Sequence, residues 1–203
     1  MIALKQPRAV PKPLRNVPSR FVYEIMDGKP IYYKGYRSVL NGTKTFEEIM
    51  GASTLQGLIV FYLNGILFRD IDETIYTVLT SELGLHINHR NNLANDIAIF
   101  DTEATPLKIS KKYADVPPKI AIEVDIDAEL EEMTESGYIY KKTYKLLDFG
   151  IEKVIWILTE AQVVMVAQKE RIETFNWNHD IEIIAGLSFN IGEYLRKKGV
   201  ELT

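Results

Sequence analysis

Apolar positions along this chain fall first at strand spacing, then at helical spacing, then at strand spacing again. Phe21-Val22-Tyr23-Glu24-Ile25-Met26 and Pro30-Ile31-Tyr32-Tyr33 flank Asp27-Gly28, a pair suited to the positive φ angles of a tight turn, so a hairpin is predicted there. Thr43 to Met50 reads as a short helix in which Thr45 and Glu48 form a capping box. Ser53 then precedes Leu55, Leu58, Ile59, Tyr62, Leu63 and Ile66, a helical stripe that Ser53 can cap. This is the main core helix.

From Ile75 the pattern turns to β. Ile75–Thr80, Leu85–Ile87 and Asp96–Phe100 read as three strands, with a polar turn through Asn88 to Asn92. After a loop with Pro106, Pro117 and Pro118, Ile120–Ile126 is apolar on both faces apart from Glu123 and Asp125, as a central strand is. An acidic connector, Asp127 to Glu135, leads to a helix from Tyr138 to Phe149 that stops at Gly150. Lys153–Leu158 is a second buried strand, Val163–Ala167 and Arg171–Trp177 are further strands, and Ile191–Lys198 is a terminal helix. Strand, helix and strand between Ile120 and Leu158 form a crossover, which implies an α/β domain with helices packed on a mixed sheet.

Composition narrows the chemistry. Across 203 residues there is no cysteine and there are three histidines, so disulfides, thiolate zinc sites and cysteine nucleophiles drop out. His86 and His89 have the wrong spacing for a helical zinc motif. Walker-type and dinucleotide-type glycine loops and a serine nucleophile elbow are absent from the sequence. The chemistry must run on carboxylates, lysines and hydroxyls.

The formal charge is −4, yet residues 1–20 carry five bases and no acid, leaving −9 for the rest. That basic arm also holds Pro7, Pro11, Pro13 and Pro18, which favour extended backbone, so it is read as a tail preceding one domain over 21–203. Either it is solvated or it touches phosphates. Met1 to Pro11 has no apolar core of signal-peptide length, and a cytoplasmic location is expected. The longest apolar stretch, Leu55 to Phe68, is shorter than the roughly 20 residues that a bilayer requires.

Three residues do not suit a simple core. Glu123 lies mid-strand among apolar neighbours, where an ionised carboxylate needs a cation, donors or a wet cleft. Period-two alternation puts Asp125 on the same face, and Asp96 heads another apolar strand that can project toward it. Converging hard oxygen donors suit magnesium or manganese. The ordinary structural alternative is that strand-end acids bind backbone amides or cap loops. On the helix, Ile139, Lys142, Leu146 and Phe149 share one stripe, so Lys142 faces inward, either snorkelling out or neutralising the strand acids. Lys141, Lys145 and Asp148 form a separate, solvated row. Glu24 in the first hairpin is a further candidate acid, and Phe175 and Trp177 are read as hairpin packing or a contact with a second copy.

In order along the chain, Tyr23–Gly28, Met50–Ser53, Asn95–Ile99, Pro117–Val124, Lys142, Gly150-Ile151 and Trp156-Ile157 resemble the Uma-type restriction endonuclease family, a branch of the PD-(D/E)xK nuclease superfamily. The resemblance implies a restriction endonuclease-like fold, a mixed β-sheet flanked by helices. It places Asp96 at the superfamily aspartate and Glu123 at the following acid, both holding Mg2+ or Mn2+. Asn95 stands where the family has proline, Asp125 stands where the superfamily motif has lysine, and Lys142 matches a lysine moved to the helix. The implied activity is hydrolysis of DNA phosphodiester bonds, with Lys142 orienting water or steadying phosphate and with Asp125 and Glu24 as supporting acids. Two other readings stay open: a non-catalytic binding or assembly module on the same scaffold, favoured by the missing strand lysine and by Glu129, Glu131, Glu132 and Glu135, and a metal-dependent hydrolase of another phosphodiester. A homodimer is a further expectation.

Overall fold

The computed structural model describes residues 17–105, 107–126, 128–130 and 133–200. The predicted arm lies outside them up to residue 16, as do Asp127, Glu131 and Glu132 of the acidic connector. A hairpin opens the described fold, β1 (Val22–Met26) and β2 (Lys29–Tyr33), with Met26 opposite Lys29. Asp27 and Gly28 form its turn at φ 56° and 76°, the positive angles required of both central residues. Two short helices follow, α1 (Tyr36–Leu40) and α2 (Glu47–Met50). The predicted helix from Thr43 is therefore cut to its last turn, although the Glu48 carboxylate does accept from Thr45 N at 2.6 Å.

Helix α3 (Thr54–Asp70) starts where Ser53 Oγ accepts from Gln56 N at 3.1 Å, as the sequence predicts. The next two strands are long: β3 (Tyr76–Asn88) and β4 (Asn91–Asp101), paired antiparallel. Two expected strands, 75–80 and 85–87, are thus one. Ser81 and Glu82, at φ 72° and 53°, form a bulge between Thr80 and Leu83, so the chain bends without leaving the ladder.

Strand β5 (Ile120–Val124) runs antiparallel to β4 and parallel to β7 (Lys153–Leu158). Between them come the two-residue edge strand β6 (Ala128–Glu129), inside the acidic connector, and helix α4 (Glu135–Phe149). Thr134 caps the start of α4, and Gly150 ends it in the left-handed region at φ 118°. The chain continues through β8 (Val163–Gln168), β9 (Arg171–Asn176), a small hairpin of β10 (Ile181–Ile184) and β11 (Leu187–Phe189), and α5 (Ile191–Lys197). That hairpin is an addition to the sequence reading.

The result is a mixed α/β fold. Its main sheet runs β6-β2-β1-β4-β5-β7-β8-β9, with β3 on β4. Alternation sorts β5 cleanly: Ile120, Ile122 and Val124 pack with Ile59 and Leu63 of α3, while Ala121 packs on the α4 side with Tyr138 and Leu146. Trp177, far from being exposed, is 4% accessible in the α3-side core, with Nε1 donating to Val163 O, so it offers no surface to a second copy. Among the described residues no helix is long and apolar enough to cross a membrane.

Candidate functional site

The sheet forks at β4. Because β3 covers one edge of β4 along its whole length, β1 and β5 must share the other; β1 meets it at Asn92 and β5 at Ile97 to Ile99. Between these two contacts, Leu93 to Asp96 of β4 pair with no strand on that edge among the described residues, and polar side chains fill the gap. Continuing the β4–β5 register one step from Ile97↔Ile122 sets Asp96 opposite Glu123. In an antiparallel pair, opposed side chains share a face.

Backbone groups that the fork leaves unpaired are taken up by acids. Glu24, from β1, accepts from Ala94 N at 2.8 Å through Oε1 and from Tyr138 Oη at 2.6 Å through Oε2. Asp96, from β4, accepts from Val124 N at 2.7 Å through Oδ2. Asn95 donates through Nδ2 to Glu123 Oε1. From α4, Lys142 reaches down between the strands and sets Nζ 2.8 Å from Glu24 Oε1 and 2.9 Å from Glu123 Oε1. Glu24, Asn95, Glu123 and Lys142 are each 2% accessible or less. The structure thus decides between the two geometries open to Lys142: it pairs with the acids and does not snorkel out. Trp156 and Tyr138 rings flank the ammonium at 5.4 and 5.9 Å.

The electrostatics follow from three acids facing one base. Burial, aided by the charges of Asp96 and Glu24, pushes the Glu123 carboxyl up from 4.5 to about 8 against the downward pull of Lys142. Burial alone would lower Lys142, but Glu123 and Glu24 outweigh it and hold the ammonium above its ordinary value. The Tyr23 and Tyr138 hydroxyls are raised well above the phenol range, first by burial and then by the neighbouring Glu24 carboxylate.

Other predicted residues lie elsewhere. Asp125 does not share the face of Glu123: β5 ends at Val124, and Asp125 turns to φ 63°, which breaks the strand alternation. Its carboxylate accepts from Thr159 N at 2.7 Å and Thr159 Oγ1 at 2.6 Å, tying the ends of β5 and β7 together. Lys141 and Asp148 are exposed and Lys145 is half-buried, as a solvated row requires, and both lysines also bridge Asp27, at 2.7 and 2.5 Å, and hold its carboxyl down at about 2. His86 Nδ1 lies 2.6 Å from Asn92 Oδ1, and Glu129 Oε2 accepts from Gly35 N at 2.9 Å.

Two residues of the fork escape the sequence reading. Asn95 was read only as a departure from proline. Gln56, 5% accessible, donates through Nε2 to Val124 O at 3.0 Å. Its signal was available, since Gln56 stands three and seven residues before Ile59 and Leu63 on the buried stripe of α3. A polar residue on such a stripe needs a partner inside.

Among the described residues no group of three or more histidine, aspartate or glutamate side chains is set to hold a metal ion. The fork nevertheless offers oxygen donors of the hard type that magnesium and manganese take. Fully ionised, Glu24, Asp96 and Glu123 against Lys142 leave an excess of two negative charges, which one divalent cation offsets. Asn95 Oδ1 is buried with no hydrogen-bond partner among the described residues, a neutral oxygen that a hard cation would satisfy. The donor set fits such an ion. Beside the fork, a cleft of about 720 Å³ runs past Gln56, Asp125 and Thr159, with Lys34 its basic residue among those described.

No protein-family model matches this chain, and no curated protein matches it. In fold, the chain is similar to a solved structure from Anabaena variabilis described as a "putative nuclease belonging to DUF820", with a TM-score of 0.64 and 15% identity over 89% of this chain and 93% of that one. The mixed sheet with helices on both faces is therefore the fold of that protein.

Proposed function

We propose that this protein is a metal-dependent endonuclease of the PD-(D/E)xK type, close to the Uma-type family, that hydrolyses phosphodiester bonds in DNA. The observation that carries the reading is the fork, where Asp96 and Glu123 stand opposite one another in register and the Lys142 ammonium lies 2.9 Å from Glu123. The nuclease-like neighbour supports a nucleic-acid substrate.

In this reading Asp96 and Glu123 would hold Mg2+ or Mn2+, with the Asn95 carbonyl as a neutral donor nearby. Such an ion supplies an acidified water and offsets charge that builds on the phosphate. Lys142 has three donors, of which Glu24 and Glu123 take two, and in this reading the third would serve the attacking water or a phosphate oxygen. Glu24 anchors that ammonium and fixes its direction. Asp125 acts on the frame, by joining β5 to β7 through Thr159.

A second reading, a non-catalytic module on the same scaffold, is favoured by one observation: Glu24, Lys142 and Glu123 already pair with one another out of water. Calorimetric titration with Mg2+ and Mn2+, followed by cleavage of plasmid and single-stranded DNA, separates the two. The nuclease reading expects ion binding and ion-dependent cleavage, with Asp96→Ala and Glu123→Ala lowering the rate by roughly 100-fold or more. Ion binding without cleavage would select the module. Cleavage that survives both substitutions would refute the site.

A further inference from the structure

Val124 is the last residue of β5, and its two backbone groups point into the fork. In the parallel pairing with β7, Asp125 N donates to Ile157 O, so N–H groups of odd-numbered residues at this end face β7 and those of Val124 face β4. By then β4 has diverged, for its last pair with β5 is Ile97↔Ile122. Both orphaned groups are met by side chains: the N–H by Asp96 Oδ2 at 2.7 Å and the C=O by Gln56 Nε2 at 3.0 Å.

Gln56 comes from the helical layer opposite α4. Its first turn is fixed by the Ser53 cap, which bonds the Gln56 N–H itself, and the next turns are anchored by Ile59 and Leu63, both at 0% accessibility. The amide is therefore delivered by a rigid element to a carbonyl that faces the unpaired side of β5, while the N–H of the same peptide, on Asp125, bonds Ile157 O of β7. Asp96 and Gln56 act as a two-sided bracket on one residue, Asp96 holding the peptide that joins Glu123 to Val124 and Gln56 the peptide that joins Val124 to Asp125. Rotation about the Val124 backbone would shift both the Asp96 carboxylate bonded to its N–H and the backbone from which Glu123 projects.

We propose that Gln56 is a positioning residue of this site: by holding the Val124 carbonyl it fixes the spacing between Asp96 and Glu123. This rests on the nuclease reading for its effect on turnover, whereas the bracket stands on geometry alone. A conservative removal is Gln56→Met, which keeps the length and unbranched shape of the side chain and deletes the donor. Gln56→His restores a ring N–H of similar reach.

The test has two arms on the full chain. In the first, amide hydrogen exchange is followed by NMR. Gln56→Met is expected to speed exchange by about tenfold at Val124 and at Asp125, whose N–H belongs to the peptide Gln56 holds, while Ile122, inside the ladder, is unchanged, and Gln56→His is expected to reverse most of the gain. In the second, DNA cleavage with Mg2+ or Mn2+ is expected to lose about tenfold in kcat at a KM within about twofold of wild type, again recovered by Gln56→His. Unchanged exchange at both Val124 and Asp125 overturns the bracket. Faster exchange with unchanged kcat overturns the positioning role. A wild type that cleaves no DNA refutes the nuclease reading instead, and the exchange arm still decides the bracket. If Gln56→Met does not fold, the His variant decides: wild-type exchange and turnover support the proposal, and loss of both despite the restored donor overturns it.

Discussion

The Lys142 ammonium lies 2.9 Å from Glu123 Oε1, with the lysine side chain 1% and the glutamate side chain 3% exposed. A pair this dry contributes little net stability over an apolar equivalent, because desolvation offsets most of the attraction. Removing one partner is another matter. The cost then falls on the carboxyl groups left behind, Glu24 and Glu123, which share the ammonium.

Lys142→Met should be strongly destabilising, by about 3–5 kcal/mol, since Glu24 and Glu123 lose their common cation inside the fold. Glu123→Gln should cost much less, because Lys142 keeps Glu24. Combining the two should not restore wild-type stability, since Glu24 stays unpaired. Urea unfolding followed by tryptophan fluorescence measures all three, with Trp156 packed beside the ammonium as the reporter.

Stability should fall as pH rises from about 5 to about 8. Glu123 keeps its proton in the folded chain up to about 8 but releases it near the ordinary 4.5 once unfolded. Between those values the folded state binds more protons, so raising pH favours unfolding, by at most about 5 kcal/mol across the window. Glu123→Gln removes the titrating group and should flatten the slope. Thermal midpoints of both proteins from pH 5 to pH 8.5 give the answer, and parallel curves would sink the idea.

Asp96 has a structural task besides any chemical one. Asp96→Ala leaves Val124 N–H without its acceptor at the fork and should cost about 1–3 kcal/mol. Asp96→Asn retains a carbonyl oxygen that can accept the same N–H, so it should stay close to wild type in stability while losing Mn2+ affinity. The contrast between denaturation and calorimetry on these two variants separates scaffold from ligand.

Gly84 is required for close approach rather than for its φ. A Cβ there would lie 2.5–2.6 Å from ring atoms of Tyr113, next to the bridge in which Ala114 N donates to Gly84 O and His86 N to Ala114 O. Gly84→Ala should displace the Tyr113–Ala114 segment at a cost of about 1–3 kcal/mol. Faster proteolysis between Ile109 and Val116 would register the release.

The elements that could be read from sequence are those specified by neighbours. Asp27-Gly28 demanded a turn, Ser53 a helix start and Gly150 a helix stop, and each is present. The inward stripe of α4 likewise put Lys142 among the buried residues. What failed depended on distant partners. Ser81-Glu82 and Gly84 look like a break, yet the unbroken edge of β4 keeps them in one strand. Asp125 follows the alternation in sequence, but its bonds to Thr159 and its positive φ turn it away. The role of Asn95 could not be seen at all, because its contact, Glu123, is 28 residues away on a strand whose register was unknown.

The fork also couples function to assembly. Its groups come from β1, α3, β4, β5 and α4, and Glu24 meets Tyr138 across 114 positions of sequence. Such long-range closures form late and together. An incomplete or nicked chain would hold stray carboxylates but no organised centre, so whatever chemistry resides there is withheld until these five elements have closed on one another.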